Sequence, residues 1–222
     1  MLNFSFHNPT RIHFGASQIA KIAQEIPKTA RVLVTYGGGS IKSNGVYDQV
    51  KAALSEHTWF EFSGIEPNPT YDTLIKAVSI IKAEKIDYLL AVGGGSVVDG
   101  TKFISAAALY EGDDPWDILA KRQPINQALP IGVVLTLPAT GSETNAGAVV
   151  TRDGNKLPFG NPLVRPQFAV LDPAVTLSLS DRQISNGVVD AFIHVMEQYL
   201  TYSVQGKVQD RFAEGLLLTL IE

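Results

Sequence analysis

At 222 residues, 45% hydrophobic and 18% charged, the chain is long enough for one full α/β domain and part of a second. Its net charge of −4 offers no broad basic face to a phosphate backbone, which argues against nucleic acid as a partner. The absence of cysteine excludes disulfides and thiolate metal sites, and without a leader-like N-terminus or an apolar run near the roughly 18 residues that span a bilayer, the expectation is a soluble, cytoplasmic protein with no membrane partner.

Two short β-rich pieces are expected around Phe4 and Ile12. "ARVLVTYGGGS" then runs an apolar stretch into three glycines and a helical pattern through Leu54, a β-turn-α unit. "TWFEFSGIEPNP" reads as a short strand with a proline-rich stop. In "TYDTLIKAVSIIKAEK" the apolar positions Leu74, Ala77, Val78 and Ile81 have helical spacing, with Thr70 in the cap region. "IDYLLAVGGGSVVDGTKFISAAALY" repeats the first unit, from a continuous apolar run through three glycines and a serine into a helix ending near Ala108. Such runs suit strands buried on both faces of a parallel sheet. "IGVVLTLP" and "FAVLDP" predict two further strands, joined by a Gly/Asn/Pro-rich loop. After Asp172 there is no strand signal, and two helical segments follow from Ser180. The expected division is therefore an α/β domain over 1–180 and the start of a helical domain over 181–222. The closing "LLLTLIE" lies inside a strong helical pattern without a glycine cap or polar tail, so the chain reads as truncated.

A glycine turn at the carboxyl end of a parallel strand admits a phosphate close to backbone N–H groups, and the following helix adds its positive dipole. Gly93 to Asp99, "GGGSVVD", has this context, with Ser96 as a helix cap or a phosphate donor. Neither GGGS stretch matches G-x-G-x-x-G, because Val98 and Lys42 stand at the last position, and neither is a Walker loop. The plain alternative is a tight turn that needs positive φ. After Tyr36, the run Gly37, Gly38, Gly39 and Ser40 with Lys42 nearby leaves room and donors for a 2′-phosphate, which favours NADP(H) over NAD(H). "LTLPATGSETNAG" supplies Thr136, Thr140, Gly141, Ser142, Glu143 and Asn145 to a third polar turn, readable as a cofactor wall or as a hydroxyl-rich capping loop. Lys156 in "RDGNK" reads as a solvated hairpin charge.

Asp190 and His194 in "GVVDAFIHVMEQY" lie four apart on one helical face. They are either a hydrogen-bonded pair or two corners of a metal site that needs at least three protein ligands. No local substitute for the missing ligands is apparent: His7, His13 and His57 belong to the α/β part, and Glu197 is three positions beyond His194 on a neighbouring face.

"GGGSVVDGTK", "LPATGSETNAGAV", "FAVLDP" and "NGVVDAFIHVMEQY", in this order, resemble the iron-containing (group III) alcohol dehydrogenase family, and most closely its NADPH-dependent aldehyde reductase branch. The resemblance implies a Rossmann-like α/β domain followed by an all-helical domain. It implies cofactor contacts at Gly94, Gly95 and Ser96, with Asp99 near the nicotinamide end, at Thr136, Leu137, Pro138, Thr140 and Ser142, and at Lys156 near a ribose. Gly38, Gly39 and Ser40 stand where NAD-preferring relatives carry an acid. One Asp and three His bind a divalent zinc or iron in the family, and Asp190 and His194 match the first two. The implied activity is hydride transfer between NADP(H) and a small aldehyde or alcohol, with a homodimer as the full-length form. A non-catalytic NADP(H)-binding fragment is the alternative.

Overall fold

A computed structural model of the chain describes residues 3–202 and 205–222. It divides into two compact units, Met1–Leu177 and Ser178–Glu222. The first unit runs β1 (Arg11–Phe14), α1 (Ile22–Glu25), β2 (Arg31–Tyr36), α2 (Ser40–Ser43), α3 (Val46–Ala53), β3 (Thr58–Phe62), α4 (Tyr71–Glu84), β4 (Tyr88–Gly94), α5 (Gly95–Ala107), α6 (Asp117–Ala120), β5 (Ile131–Leu137), β6 (Gly147–Arg152), β7 (Asn155–Gly160) and β8 (Phe168–Leu171). Six strands form one sheet in the order β1-β8-β5-β4-β2-β3, with every pairing parallel.

Alternation along the strands sends side chains to two cores. Leu33, Leu89, Ala91 and Val133 pack with Leu74 of α4 and with Phe103 and Ile104 of α5. Val32, Val34, Leu90, Val92 and Val134 face the other side, with Ile22, Val46 and Val50 of α1 and α3. Helices on both faces explain why β4 reads as an unbroken apolar run. Full burial of each Leu, Val or Phe stabilises by about 1.5–3 kcal/mol. Gly132 admits the Phe168 ring, which would lie 2.3 Å from an added Cβ.

Several expectations change. Residues 3–10 form no strand and Phe4 is exposed: backbone groups there have no ladder partner, and the segment is held instead at the His7 carbonyl, which accepts from Arg165, and at the Thr10 hydroxyl, which donates to the Pro166 carbonyl. The helix expected through Leu54 breaks into α2 and α3 at Asn44–Gly45, where Gly45 has φ of 79°. The expected loop between β5 and β8 contains the antiparallel pair β6–β7. Its turn is made by Asp153 and Gly154, both at positive φ, while Ala148 and Val150 are buried on alternate positions.

The second unit is a pair of packed helices, α7 (Asp181–Tyr199) and α8 (Lys207–Ile221). Ser180 and Gln183 form a reciprocal capping box at the start of α7. The Tyr199 hydroxyl donates to Glu214 across the pair at 3.1 Å.

Candidate functional site

After β2 the chain adds β3 at one edge, then returns to place β4 on the other side of β2. This reversal of strand order puts the topological switch point at the carboxyl ends of β2 and β4, the usual ligand position in open parallel sheets. The parallel ladder brings Gly38, Gly39 and Ser40 after β2, Gly94, Gly95 and Ser96 after β4, and Thr136, Leu137, Pro138, Thr140 and Ser142 after β5 to one edge of the sheet.

The glycines of β4 serve space, not turn geometry. Gly93 and Gly94 belong to the strand and α5 begins at Gly95; none of the three has positive φ. A Cβ on Gly93 would lie 2.6 Å from Val97 Cγ2, and one on Gly95 would lie 2.5 Å from Thr140 Oγ1. The β4–β5 register slips between Gly93 and Gly94, which pair with Leu135 and Leu137 and pass over Thr136. Such a bulge bends the strand and re-aims the extra residue. Gly94, not Ser96, occupies the N-cap of α5. After β2 the plain reading does hold at Gly39, which has φ of 100°.

Ser96 Oγ instead accepts from the Asn68 N–H at 3.4 Å, and Asn68 Oδ1 accepts from Lys156 Nζ at 2.7 Å. Ser96 and Lys156, separated by 60 positions in sequence, are therefore joined through one loop residue. Asn68 itself sits at φ of 56°.

The loop after β5 is pinned from beneath by Lys102, a residue the sequence reading passed over. Lys102 is fully buried. Its ammonium donates to Ser142 Oγ at 2.9 Å, Asn145 Oδ1 at 2.9 Å and the Gly147 carbonyl at 2.8 Å. Ser142 Oγ in turn donates to Asp99 Oδ1 at 2.5 Å, and Asp99 Oδ2 accepts from the Val149 N–H at 2.9 Å. Burial pushes the Lys102 amine down to about 8, against the raising effect of Asp99 and Glu143. The available signal was its isolation: it is the one charge between Asp99 and Glu111 in an otherwise apolar and small-residue helix. Ser142 is buried and committed to this network, so it supports the loop, whereas Pro138 and Thr140 are exposed at its tip.

In the second unit, Asp190 Oδ2 and His194 Nε2 lie 3.5 Å apart, with both side chains more than half exposed. A carboxylate oxygen and an imidazole nitrogen are donor types that zinc and iron both accept. No group of three or more His, Cys, Asp or Glu suited to a metal occurs among the described residues. In the first unit, His13 pairs with Glu25 and His57 with the Ile26 carbonyl.

A model of the iron-containing alcohol dehydrogenase family matches residues 9–173. The chain belongs to this family. It is 59% identical to the NADPH-dependent aldehyde reductase YqhD of Escherichia coli, over all of this chain and 58% of that protein. It is 47% identical to the NADP-dependent alcohol dehydrogenase 3 of Entamoeba histolytica, over all of this chain and 59% of that one. The crystal structure of E. coli YqhD superposes with a TM-score of 0.93 at 58% identity, covering 99% of this chain and 57% of that one. NADH-dependent butanol dehydrogenase A of Thermotoga maritima gives 0.91 at 44% identity, covering 99% and 56%. The chain thus spans somewhat more than half the length of these family members.

Proposed function

We propose that this chain binds NADP(H) along the carboxyl ends of β2, β4 and β5 and carries part of a metal-dependent aldehyde reductase, reversible as an alcohol dehydrogenase. The observation that supports this most is the convergence of three small-residue turns where the strand order reverses. Backbone N–H groups at Gly95 and Ser96 open α5, whose 13 residues bring a positive helix end to the pyrophosphate. The cramped glycines keep side chains out of that approach. Thr136, Leu137, Pro138 and Thr140 form the wall after β5, with Ser142, Asp99 and Lys102 holding it in place. Lys156, oriented by Asn68, faces a ribose, and Gly38, Gly39 and Ser40 leave room for the adenosine 2′-phosphate.

Asp190 and His194 would hold a divalent zinc or iron. When bound, NADPH supplies the hydride and the metal polarises the carbonyl of a small aldehyde. The contribution of these protein groups is to bind, orient and exclude water. The test is fluorescence titration of the purified chain with NADPH and NADH, then aldehyde-dependent NADPH oxidation with and without chelator. Saturable NADPH binding is expected, and chelator-sensitive oxidation would assign turnover to this chain. Absence of NADPH binding overturns the reading, and binding without turnover in the presence of zinc or iron reassigns the chain as a non-catalytic NADP(H)-binding module.

A further inference from the structure

Outside the turn that carries Gly38 to Ser40, four side chains converge. Tyr36 closes β2, Lys42 lies in α2, Tyr47 in α3 and Glu61 near the end of β3. The Tyr36 hydroxyl donates to Glu61 Oε2 at 2.6 Å and the Tyr47 hydroxyl to Oε1 at 2.5 Å. Lys42 Nζ stands 3.4 Å from Oε2, and 5.2 and 4.8 Å from the ring centres of Tyr36 and Tyr47.

The two charges differ in freedom. Glu61 is tied at both oxygens to hydroxyls, and Tyr36 is itself buried. The Lys42 side chain is 50% exposed, so its ammonium can turn on a flexible stem. Burial disfavours the Glu61 charge, but the two tyrosine hydroxyls and Lys42 outweigh it and hold the carboxyl below its usual range. The Tyr36 hydroxyl, opposed by burial and aided by the Glu61 charge, holds Lys42 above its usual value. At neutral pH the pair is an ammonium and a fixed carboxylate.

We infer that Glu61 is a specificity-determining residue that weakens the preference for NADP(H): it engages Lys42 and confronts an incoming 2′-phosphate with a fixed negative charge. This rests on the NADP(H) reading above. A phosphate entering beside Ser40 must draw the ammonium from Glu61 and accept the remaining repulsion. NADH brings only a neutral 2′-hydroxyl and meets neither cost. A carboxylate set behind the cation thus moderates discrimination between the two nucleotides without touching either.

The experiment compares dissociation constants for NADPH and NADH, by nucleotide fluorescence at one ionic strength, in the wild-type chain, Glu61→Gln and Lys42→Met. Gln keeps the size of the side chain and an acceptor for the tyrosines. Glu61→Gln is expected to tighten NADPH about three- to tenfold and to leave NADH within about twofold. Lys42→Met is expected to weaken NADPH by a similar factor with NADH unchanged. The ratio of the two constants does not depend on the folded fraction of a preparation. An unchanged or reduced NADPH preference in Glu61→Gln, while the wild type binds NADPH, overturns the role of Glu61 and leaves the NADP(H) reading standing. Failure of the wild type to bind NADPH overturns both.

Discussion

Replacing Lys102 by Met removes three hydrogen bonds from a fully buried site while keeping most of the side-chain volume. Each stranded acceptor costs about 1–3 kcal/mol. Against that, the amine falls from 10.5 to about 8 on folding, which corresponds to about 3 kcal/mol of penalty on the buried charge that Met relieves. The balance is a destabilisation of about 3 kcal/mol at pH 7. Between pH 8 and 10.5 the unfolded chain binds the lysine proton and the folded chain does not, so wild-type stability rises with pH across that window. Lys102→Met lacks this gain, and at pH 9.5 the gap is expected to widen by about 2 kcal/mol. Urea unfolding followed by tryptophan fluorescence suits the measurement, because Trp59 and Trp116 both lie in the first unit. A loss under 1 kcal/mol at pH 7, or a gap that narrows as pH rises, refutes the reasoning.

Gly95→Ala places a Cβ 2.5 Å from Thr140 Oγ1; the loop must shift, and NADPH affinity is expected to fall at least about tenfold for about 1–3 kcal/mol of stability. An unchanged NADPH titration contradicts this. Asp114 accepts from the Tyr71 hydroxyl at 2.8 Å and pairs with Arg152, which stacks on the Tyr71 ring at 4.2 Å. Burial first, then Asp114, pushes Tyr71 up to about 12, so Asp114→Asn should lower its titration in an ultraviolet difference experiment. His194→Ala removes an exposed group and should change stability by less than about 0.5 kcal/mol while reducing zinc retained on equilibrium dialysis. Retention equal to wild type removes His194 from the ligand set.

Legibility in the sequence followed the range of the interaction. β4 and its helix were readable because "LLAVGGG" carries burial on both faces in its own letters. The Asp190–His194 proximity was readable because i,i+4 geometry is local to one helix. The β6–β7 hairpin was obscured by Gly147, Pro158 and Gly160 within its strands, which weaken the alternation that remains at Ala148 and Val150. The plain positive-φ alternative for the β4 glycines fails for a physical reason: their constraint comes from Val97 and Thr140, not from their own φ. Lys102 and Ser142 are 40 positions apart, and no periodicity announces such a pair. Glu61 meets Tyr36 and Tyr47 only once β3 lies beside β2.

The pairing of β1 with β8 bears on how the sheet is assembled. Thr10 and Pro166, which anchor this edge, are 156 positions apart, whereas β2 and β3 close across a far shorter excursion. A loop roughly sixfold longer adds only about 1.5 kcal/mol of closure entropy, but it delays the contact on the folding path. During synthesis β2, β3 and β4 can pair well before Phe168 leaves the ribosome, while residues 11–14 wait. Until β8 arrives, β5 is a bare apolar edge of the kind that recruits other chains. Four residues, Phe168 to Leu171, therefore seal that edge and seat the oldest part of the chain at the same time.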